Sequence, residues 1–178
     1  MYHRIASFLL GCWILGSLFM MFVAIENFGA VDRVLASAPP AMIQAGGNEQ
    51  ARPLLRYMAG LENQKFFVTW ELAQILLSAA LAAVFFFGVG SRWLSSLAGA
   101  LLLLTAFQHF RITPEMISLS VQLDTAASSN RFAALHATYG IIEVLKLLIA
   151  LIIAGLLLPA WREHPRTSAE LQPANYSR

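Results

Sequence analysis

Eight side chains of this sequence are of types that bind ions or polar ligands, and all lie in or beside strongly apolar segments. The set is Glu26, Glu71, Gln74, His109, His136, Tyr139, Glu143 and Lys146. Carboxylates and imidazoles bind metals and transfer protons, whereas amide and phenol groups orient a polar ligand by hydrogen bonds. Ionisable groups are costly in apolar surroundings, about 2.5–3.5 kcal/mol each at a bilayer centre, so they tend to mark functional positions.

The four candidates nearest the C-terminus follow a helical spacing. His136, Tyr139, Glu143 and Lys146 are separated by three, four and three residues, which places them on one face of a helix. Glu143 and Lys146 are three residues apart and can pair, which would lower the cost of burying either charge.

The composition is that of an integral membrane protein. Apolar residues make up 58% of the 178 residues and charged residues only 12%, against about 25% charged in soluble domains. Disordered, collagen-like and disulfide-rich secreted classes are excluded by the same numbers. The net charge is +2 and no basic run reaches five residues, so nucleic acid is not an expected partner. Cys12 is the single cysteine and cannot form an intramolecular disulfide.

Long uncharged runs predict four membrane-spanning helices, at 5–27, 67–90, 93–111 and 133–161. About 20 apolar residues cross a bilayer as a helix, the only form that satisfies its own backbone groups there. We therefore expect an all-α four-helix bundle with up-down-up-down topology over residues 1–161. The first apolar run is longer than a signal-peptide core, so we expect a retained signal anchor. The polar tail 162–178 is expected to be disordered.

The connections between the spans differ in length. Gly88, Gly90 and Ser91 predict a tight turn between the second and third spans. In the first connection, Pro39–Pro40 and Gly46–Gly47 are expected to break regular structure. A short amphipathic helix should follow, with Pro53 near its first turn; its apolar face would carry Leu54, Leu55, Met58 and Leu61.

The third connection also carries helix signals. Thr113, Pro114 and Glu115 have the types expected of an N-cap, a first position and an acidic first turn, so a second short helix is predicted there. The run 128–130, Ser-Ser-Asn, offers caps for the fourth span.

In this topology the candidate residues of all four spans fall at the end of the bundle that carries the long connections. Ser78, Thr105 and Gln108 add further polar groups to the spans. Two interpretations remain open: a ligand or ion site, or helix capping and interhelical hydrogen bonds that fix the packing. Glu-x-x-His repeats are lacking, so a di-iron centre is not predicted. No cofactor is predicted, although a metal, or a haem between His109 and His136, is not excluded.

No catalytic motif is found, and a non-enzyme is favoured. The first hypothesis is a small membrane protein that binds or passes a small polar solute, an ion or a lipid headgroup at the polar end. The alternative is a structural or assembly subunit of a larger membrane complex. A second alternative is a membrane redox protein that binds haem, metal or quinone. The expected partners are the lipid bilayer and other membrane subunits or further copies of the chain.

Two stretches resemble a known family. The segment 9–17, Leu-Leu-Gly-Cys-Trp-Ile-Leu-Gly-Ser, resembles the first helix of the uncharacterised four-span membrane proteins related to transmembrane protein 205. Leu135 and His136, followed by Tyr139 and Glu143, resemble the last helix of that family, although the family pattern leads us to expect Asn at position 143. The resemblance implies the same four-helix layout and no established activity.

Lysine and arginine counts do not determine the orientation, with 5 on the side of the termini and 6 on the other. The basic start at Arg4 and the short basic turn at Arg92 favour cytoplasmic termini. A bacterial inner membrane is the expected location.

Overall fold

The computed structural model describes residues 1–37, 40–120 and 126–158, with residues 40–50 and 126 described by their backbone alone. The described chain is helical, without strands. Its helices are α1 (Tyr2–Ser37), α2 (Pro40–Ala83), α3 (Arg92–Phe107), α4 (Thr113–Ser120) and α5 (Ala126–Leu157). Two π-helical segments, Val84–Val89 and Gln108–Ile112, extend α2 and join α3 to α4.

Consecutive long helices run in opposite directions, which confirms the four-helix bundle. Asn27 of α1 contacts Asn63 of α2, whereas Trp13 contacts Ser78. The pairs Gln108–Glu143 and Glu115–Arg131 show the same antiparallel order between the third and fourth long helices. α1 also packs against α5, so the four helices close around one core.

Within the described residues, four helical segments are long and apolar enough to span a membrane: Tyr2–Ser37, Ala51–Val89, Arg92–Ser120 and Ala127–Leu157. Only 11–28% of their most apolar windows is buried inside the bundle. Large apolar side chains therefore cover the outside, among them Phe8, Phe22, Leu76, Leu103 and Ile141. Lipid is the solvent that such a surface requires, so the chain is a membrane protein.

The first connection is more helical than the sequence predicts. The backbone of α2 continues through Gly46–Gly47, so the expected break there was wrong. Residues 54–61 are helical, but Pro53 lies inside α2 and not at the start of a separate helix. Glycine lowers helix stability by only about 1 kcal/mol, and contacts between α1 and α2 offset such costs. These contacts include Arg52–Asp32 at 2.5 Å.

The tight turn is confirmed. Gly90 has φ 68°, the left-handed conformation in which glycine ends helices, and its N–H donates to the Phe85 carbonyl at 2.9 Å. Ser91 caps α3 and accepts a bond from the Leu94 N–H at 3.4 Å. Helix α3 occupies the third predicted span and continues through the second π segment.

Two capping predictions were wrong. Thr113 has helical backbone angles because the chain stays helical from α3 to α4, so it is not an N-cap. The run 128–130 lies inside α5, which already begins at Ala126. Pro39, the end of the fourth predicted span and the tail 162–178 lie outside the described residues.

The bundle core near the tight turn is apolar. We call this set the apolar half-core; it comprises Ala6, Leu10, Leu81, Phe85, Leu94, Ala98, Leu101, Ala150, Ile153 and Leu157, all buried. Trp13 lies at its border and belongs also to the polar residues described next.

Candidate functional site

The other half of the bundle core contains a connected set of polar side chains. We call it the polar cluster; it comprises Trp13, Ser17, Glu71, Gln74, Ser78, Gln108, His109, Thr113, Tyr139, Glu143 and Lys146. All four spans contribute. Ser78, seven residues beyond Glu71, lies about 10 Å from it along the helix axis. The cluster therefore extends from one end of the spans to about the middle of the bundle.

Lys146 is the buried cation of the polar cluster. Its side chain is 0% exposed, and Nζ donates to Gln74 Oε1 at 2.7 Å and to Glu143 Oε1 at 2.8 Å. Nζ also lies 5.9 Å from the centroid of the Trp13 ring, within reach of a cation–π interaction. A buried ammonium is tolerated only with such partners, so Lys146 holds α2 and α5 together.

Glu71 is the buried carboxylate. Its Oε1 accepts a bond from the Thr113 hydroxyl at 2.6 Å, and its Oε2 lies 2.9 Å from His109 Nδ1. The His109 side chain is 15% exposed, whereas that of Glu71 is fully buried. His109 belongs to the second π segment, and Thr113 follows it directly. π segments often occur at functional sites, and this one allows both side chains to reach Glu71.

Two buried polar atoms of the cluster have no hydrogen-bond partner among the described residues. They are Gln108 Oε1 and the Tyr139 hydroxyl. The amide nitrogen of Gln108 donates to Glu143 Oε1 at 3.0 Å, which leaves its oxygen as a free acceptor. The Tyr139 hydroxyl lies next to the Glu71 carboxylate and the Gln108 amide without a well-aligned hydrogen bond to either, Glu143 is a further charged neighbour, and the ring packs edge-on against Phe67. Buried polar atoms are paired in most proteins, so these two atoms are available to a water molecule or a ligand.

Helix α1 closes the cluster towards the apolar half-core. Trp13 Nε1 donates to Ser78 Oγ at 3.2 Å, and Gln74 Nε2 donates to Ser17 Oγ at 3.1 Å. The hydroxyl of Ser17 in turn donates to the Trp13 carbonyl at 3.0 Å. These bonds pair the deepest polar groups, and beyond them the core is apolar.

The charges of the polar cluster do not balance by themselves. Glu71 and Glu143 carry two negative charges when ionised, and Lys146 carries one positive charge. The formal sum is therefore −1, with histidine counted as neutral. Electrostatic interactions are strong in this poorly solvated region, so the cluster favours one further positive charge.

Six of the eight candidate residues come together in the structure, and two do not. Glu26 pairs with Arg33 at 2.7 Å on the surface, on the side of α1 opposite Ser17. His136 is exposed and stacks on Phe132. At about 100° per residue, His136 lies about 80° around the helix from Lys146, whereas Tyr139 lies only about 20° away.

Some members of the cluster were not among the sequence candidates. Ser78 and Gln108 are polar span residues outside the set of eight candidates. Trp13 and Ser17 carry a detectable signal, because they lie four residues apart on one face of α1. Thr113 carried none, since a threonine before proline is typical of an N-cap.

The residues considered for a haem do not converge, and no metal cluster forms among the described residues. In the described part of the chain, no three His, Cys, Asp or Glu side chains could hold a common metal ion. His109 faces Glu71, whereas His136 is exposed on α5. The described structure therefore offers no haem site between these two histidines.

Comparison with known proteins found no matching family model, no matching curated protein and no matching solved structure. The resemblance to the relatives of transmembrane protein 205 therefore stays a prediction. The functional argument rests on the geometry of the polar cluster.

Proposed function

We propose that this membrane protein binds a small cationic solute in the polar cluster. The observation that carries the proposal is the pair of unpartnered buried atoms, Gln108 Oε1 and the Tyr139 hydroxyl, beside two carboxylates. One unpaired atom is an acceptor, the other can accept or donate, and their charged neighbours are anionic. A ligand with N–H donors and one positive charge fits this arrangement best.

The chemical class that meets both requirements is a primary ammonium group. Its three N–H donors match the acceptors of Gln108, Tyr139 and Glu143, and its charge compensates the cluster charge of −1. The group can come from a free amine or from the ethanolamine headgroup of a lipid. Both sources are compatible with a site close to one membrane face.

The direction of access follows from exposure. The side chains of Glu143 and His109 are 26% and 15% exposed, whereas Lys146 and Glu71 are fully buried. The apolar half-core closes the opposite end. The solute therefore enters and leaves at the face of the long connections and does not cross the bilayer in this conformation.

Isothermal titration of the detergent-purified protein tests the proposal. Methylammonium should bind, and tetramethylammonium, which has the charge but no N–H donor, should bind at least tenfold more weakly. Gln108→Leu should weaken methylammonium binding about 10-fold or more, since a hydrogen bond to a charged group contributes about 1.5–3 kcal/mol. Tyr139→Phe should weaken it less, and Tyr57→Phe, at an exposed tyrosine of α2, is the matched control.

A lipid competition distinguishes the two sources of the ammonium group. In nanodiscs of phosphatidylethanolamine, methylammonium should bind more weakly than in phosphatidylcholine if the headgroup is the natural ligand. Equal affinity in both lipids would assign the site to a free solute. The proposal would be refuted if methylammonium did not bind at any concentration up to the point where nonspecific salt effects begin.

The location that the sequence favours is the bacterial inner membrane, with cytoplasmic termini. This orientation is supported by Arg4 and Arg92, which lie at the same end of the bundle as the tight turn. The polar cluster would then open to the outer face. The test is to label His136→Cys, in a Cys12→Ser background, with a membrane-impermeant maleimide on whole cells. Labelling is expected for this orientation, and protection from the reagent would indicate the reverse orientation.

A structural role in a larger complex is the second candidate, and a separate surface favours it. Leu54, Tyr57, Met58 and Leu61 are exposed on one face of α2, in the part of the candidate segment Ala51–Val89 that precedes the span expected from the sequence. Exposed apolar helix faces fit protein partners. Charge substitution Met58→Glu should release such a partner in a pull-down from mild detergent, without changing methylammonium affinity.

A further inference from the structure

A groove runs along the outside of the bundle between α1 and α5, at the end of the tight turn. We call it the α1–α5 groove; it has a volume of about 310 Å³, and its lining includes Ser7, Leu10, Gly11, Ile14, Ala154 and Leu157. A Cβ atom at Gly11 would meet nothing within 4 Å, so the groove is open above this glycine. The groove shares no residue with the polar cluster and is independent of the function proposed above.

The groove lies within one leaflet of the bilayer. The end of the bundle with the tight turn lies at a membrane face, because all four candidate spans begin or end there, at Tyr2, Val89, Arg92 and Leu157. Ile14, the deepest groove residue of α1, lies about 15 Å further along the helix axis than Arg4. This distance is about half the thickness of the hydrocarbon core.

Two polar side chains stand where the groove reaches the membrane face. His3 and Arg4 lie one turn before Ser7 and about 40° and 60° to either side of it around α1. Arg4 is exposed and forms no ion pair with the described residues. His3 Nδ1 is buried and has no hydrogen-bond partner among them. A guanidinium binds phosphate oxygens, and an imidazole N–H can donate to the same group.

The charge of this end of the bundle complements an anion. Residues 1–25, 72–114 and 144–158, which lead to this membrane face, contain no Asp or Glu, whereas Arg4 and Arg92 lie at the face itself. An anionic headgroup therefore meets no acidic side chain in this part of the described bundle, and it gains the attraction of the basic residues.

The shape of the groove fits a flexible chain better than a second helix. Phe8 and Leu15 are 70% and 69% exposed and lie three residues before and four residues after Gly11, on the same side of α1. Helices approach closely where small residues form the contact face, and these two bulky side chains keep a helix away from Gly11. The volume of about 310 Å³ equals about ten times the 30 Å³ that one water occupies in the liquid, and a methylene group is of similar size.

We propose that the α1–α5 groove binds one acyl chain of an anionic phospholipid whose phosphate pairs with Arg4. The chain fills the space above Gly11, and the His3 imidazole donates to a phosphate oxygen. The groove holds the chain by its shape, and Arg4 selects the headgroup. Phosphatidylcholine carries a fixed positive charge beside the same phosphate, so it binds more weakly.

Native mass spectrometry of the detergent-purified full chain tests the lipid site. Phosphatidylglycerol and phosphatidylcholine with the same acyl chains are titrated in parallel. One phosphatidylglycerol per chain should bind at least about fivefold more tightly than phosphatidylcholine, the discrimination expected of one basic residue at a membrane surface.

Variants separate the headgroup contact from the groove. Arg4→Gln should lower phosphatidylglycerol affinity to that of phosphatidylcholine, whereas Arg92→Gln should keep it within about twofold. Arg92 is the matched control because α3 packs against α2 and α5 and lies across the bundle from α1. Gly11→Leu should fill the groove and abolish saturable binding of both lipids. Gly99→Leu, at a glycine of α3 that also has open space above it, should leave binding unchanged.

Three results would overturn the lipid site. The first is equal affinity of the wild-type protein for the two lipids. The second is phosphatidylglycerol binding that survives Gly11→Leu or that falls equally in Arg4→Gln and Arg92→Gln. The third is a lipid-free wild-type dimer that Gly11→Leu converts to a monomer, which would assign the groove to a second copy of the chain. The lipid comparison on the wild-type protein needs no variant, so a variant that fails to fold cannot hide the result.

Discussion

The two halves of the bundle core follow different physical rules. The apolar half-core, centred on Phe85 and Leu101, fills its space with side chains that need no specific partner. In the polar cluster each charge depends on a particular neighbour, as Lys146 depends on Glu143 and Gln74. Both halves are buried and both hold four helices together, but the polar half contains hydrogen-bonding groups that its own described residues do not satisfy.

The difference shows which half can recognise a ligand. In a membrane, burying apolar side chains in a core gives no hydrophobic stabilisation, because lipid already keeps them away from water. Such a core is stabilised by van der Waals packing. A polar core in the same environment must satisfy each group or shift its charge. Because burying these polar groups costs free energy, the presence of the polar cluster is an argument for function. Its hydrogen bonds also hold the helices together.

The largest stability effect is expected from Lys146→Ala. Removing the ammonium leaves Glu143 and the Gln74 oxygen without their buried cation, which should cost about 3–5 kcal/mol. Lys65→Ala, which breaks an exposed pair with Glu62, is the matched control and should cost less than about 1 kcal/mol. Reversible unfolding in mixed micelles measures both. Similar losses in the two variants would mean that burial does not set the cost.

Phe85→Ala tests the apolar half in the same assay. The ring is fully buried, so its removal leaves a cavity and should cost about 3 kcal/mol. We expect the lower end of the range for soluble proteins, since transfer into lipid carries little penalty. Phe87→Ala, at a ring 83% exposed, should change stability by less than about 0.5 kcal/mol. Unlike Lys146→Ala, Phe85→Ala should leave methylammonium affinity unchanged.

Gly16→Ala probes the border between the halves and should have the smallest effect of the three. A Cβ atom there would overlap Cη2 of Trp70, so the indole must move. Overpacking of this kind costs about 1–3 kcal/mol. Gly99→Ala, where a Cβ would meet nothing within 4 Å, is the control and should be neutral or slightly stabilising. A neutral Gly16→Ala would show that the α1–α2 contact is loose.

The sequence predicted the apolar half better than the polar half. Uncharged runs locate the spans because lipid tolerates few charges. Gly90 locates the turn because glycine readily adopts the left-handed backbone conformation that ends the preceding helix. The helix ends were harder to predict. Gly46–Gly47 is a local breaking signal, yet the backbone of α2 continues through it.

The polar cluster could be predicted only in part. Helix periodicity shows which side chains share a face of a helix, but it does not show whether that face is buried in the bundle. The spacing of Tyr139, Glu143 and Lys146 correctly predicts that they share one helix face. His136, about one turn before Tyr139, lies too far around the helix to share it and is exposed. Glu26 was included for its position at the end of a span, but it lies on the side of α1 opposite Ser17, where it pairs with Arg33. Thr113 reaches Glu71 only because the π segment keeps the chain helical, and no local signal predicts that.

The most direct test compares one variant from each half in a methylammonium titration. The binding account predicts that Gln108→Leu lowers the affinity about 10-fold or more, while Leu101→Ala, in the apolar half-core, lowers stability and leaves the affinity within about twofold of wild type. Equal affinities in Gln108→Leu and the wild-type protein would contradict it, and the polar cluster would then be a packing device.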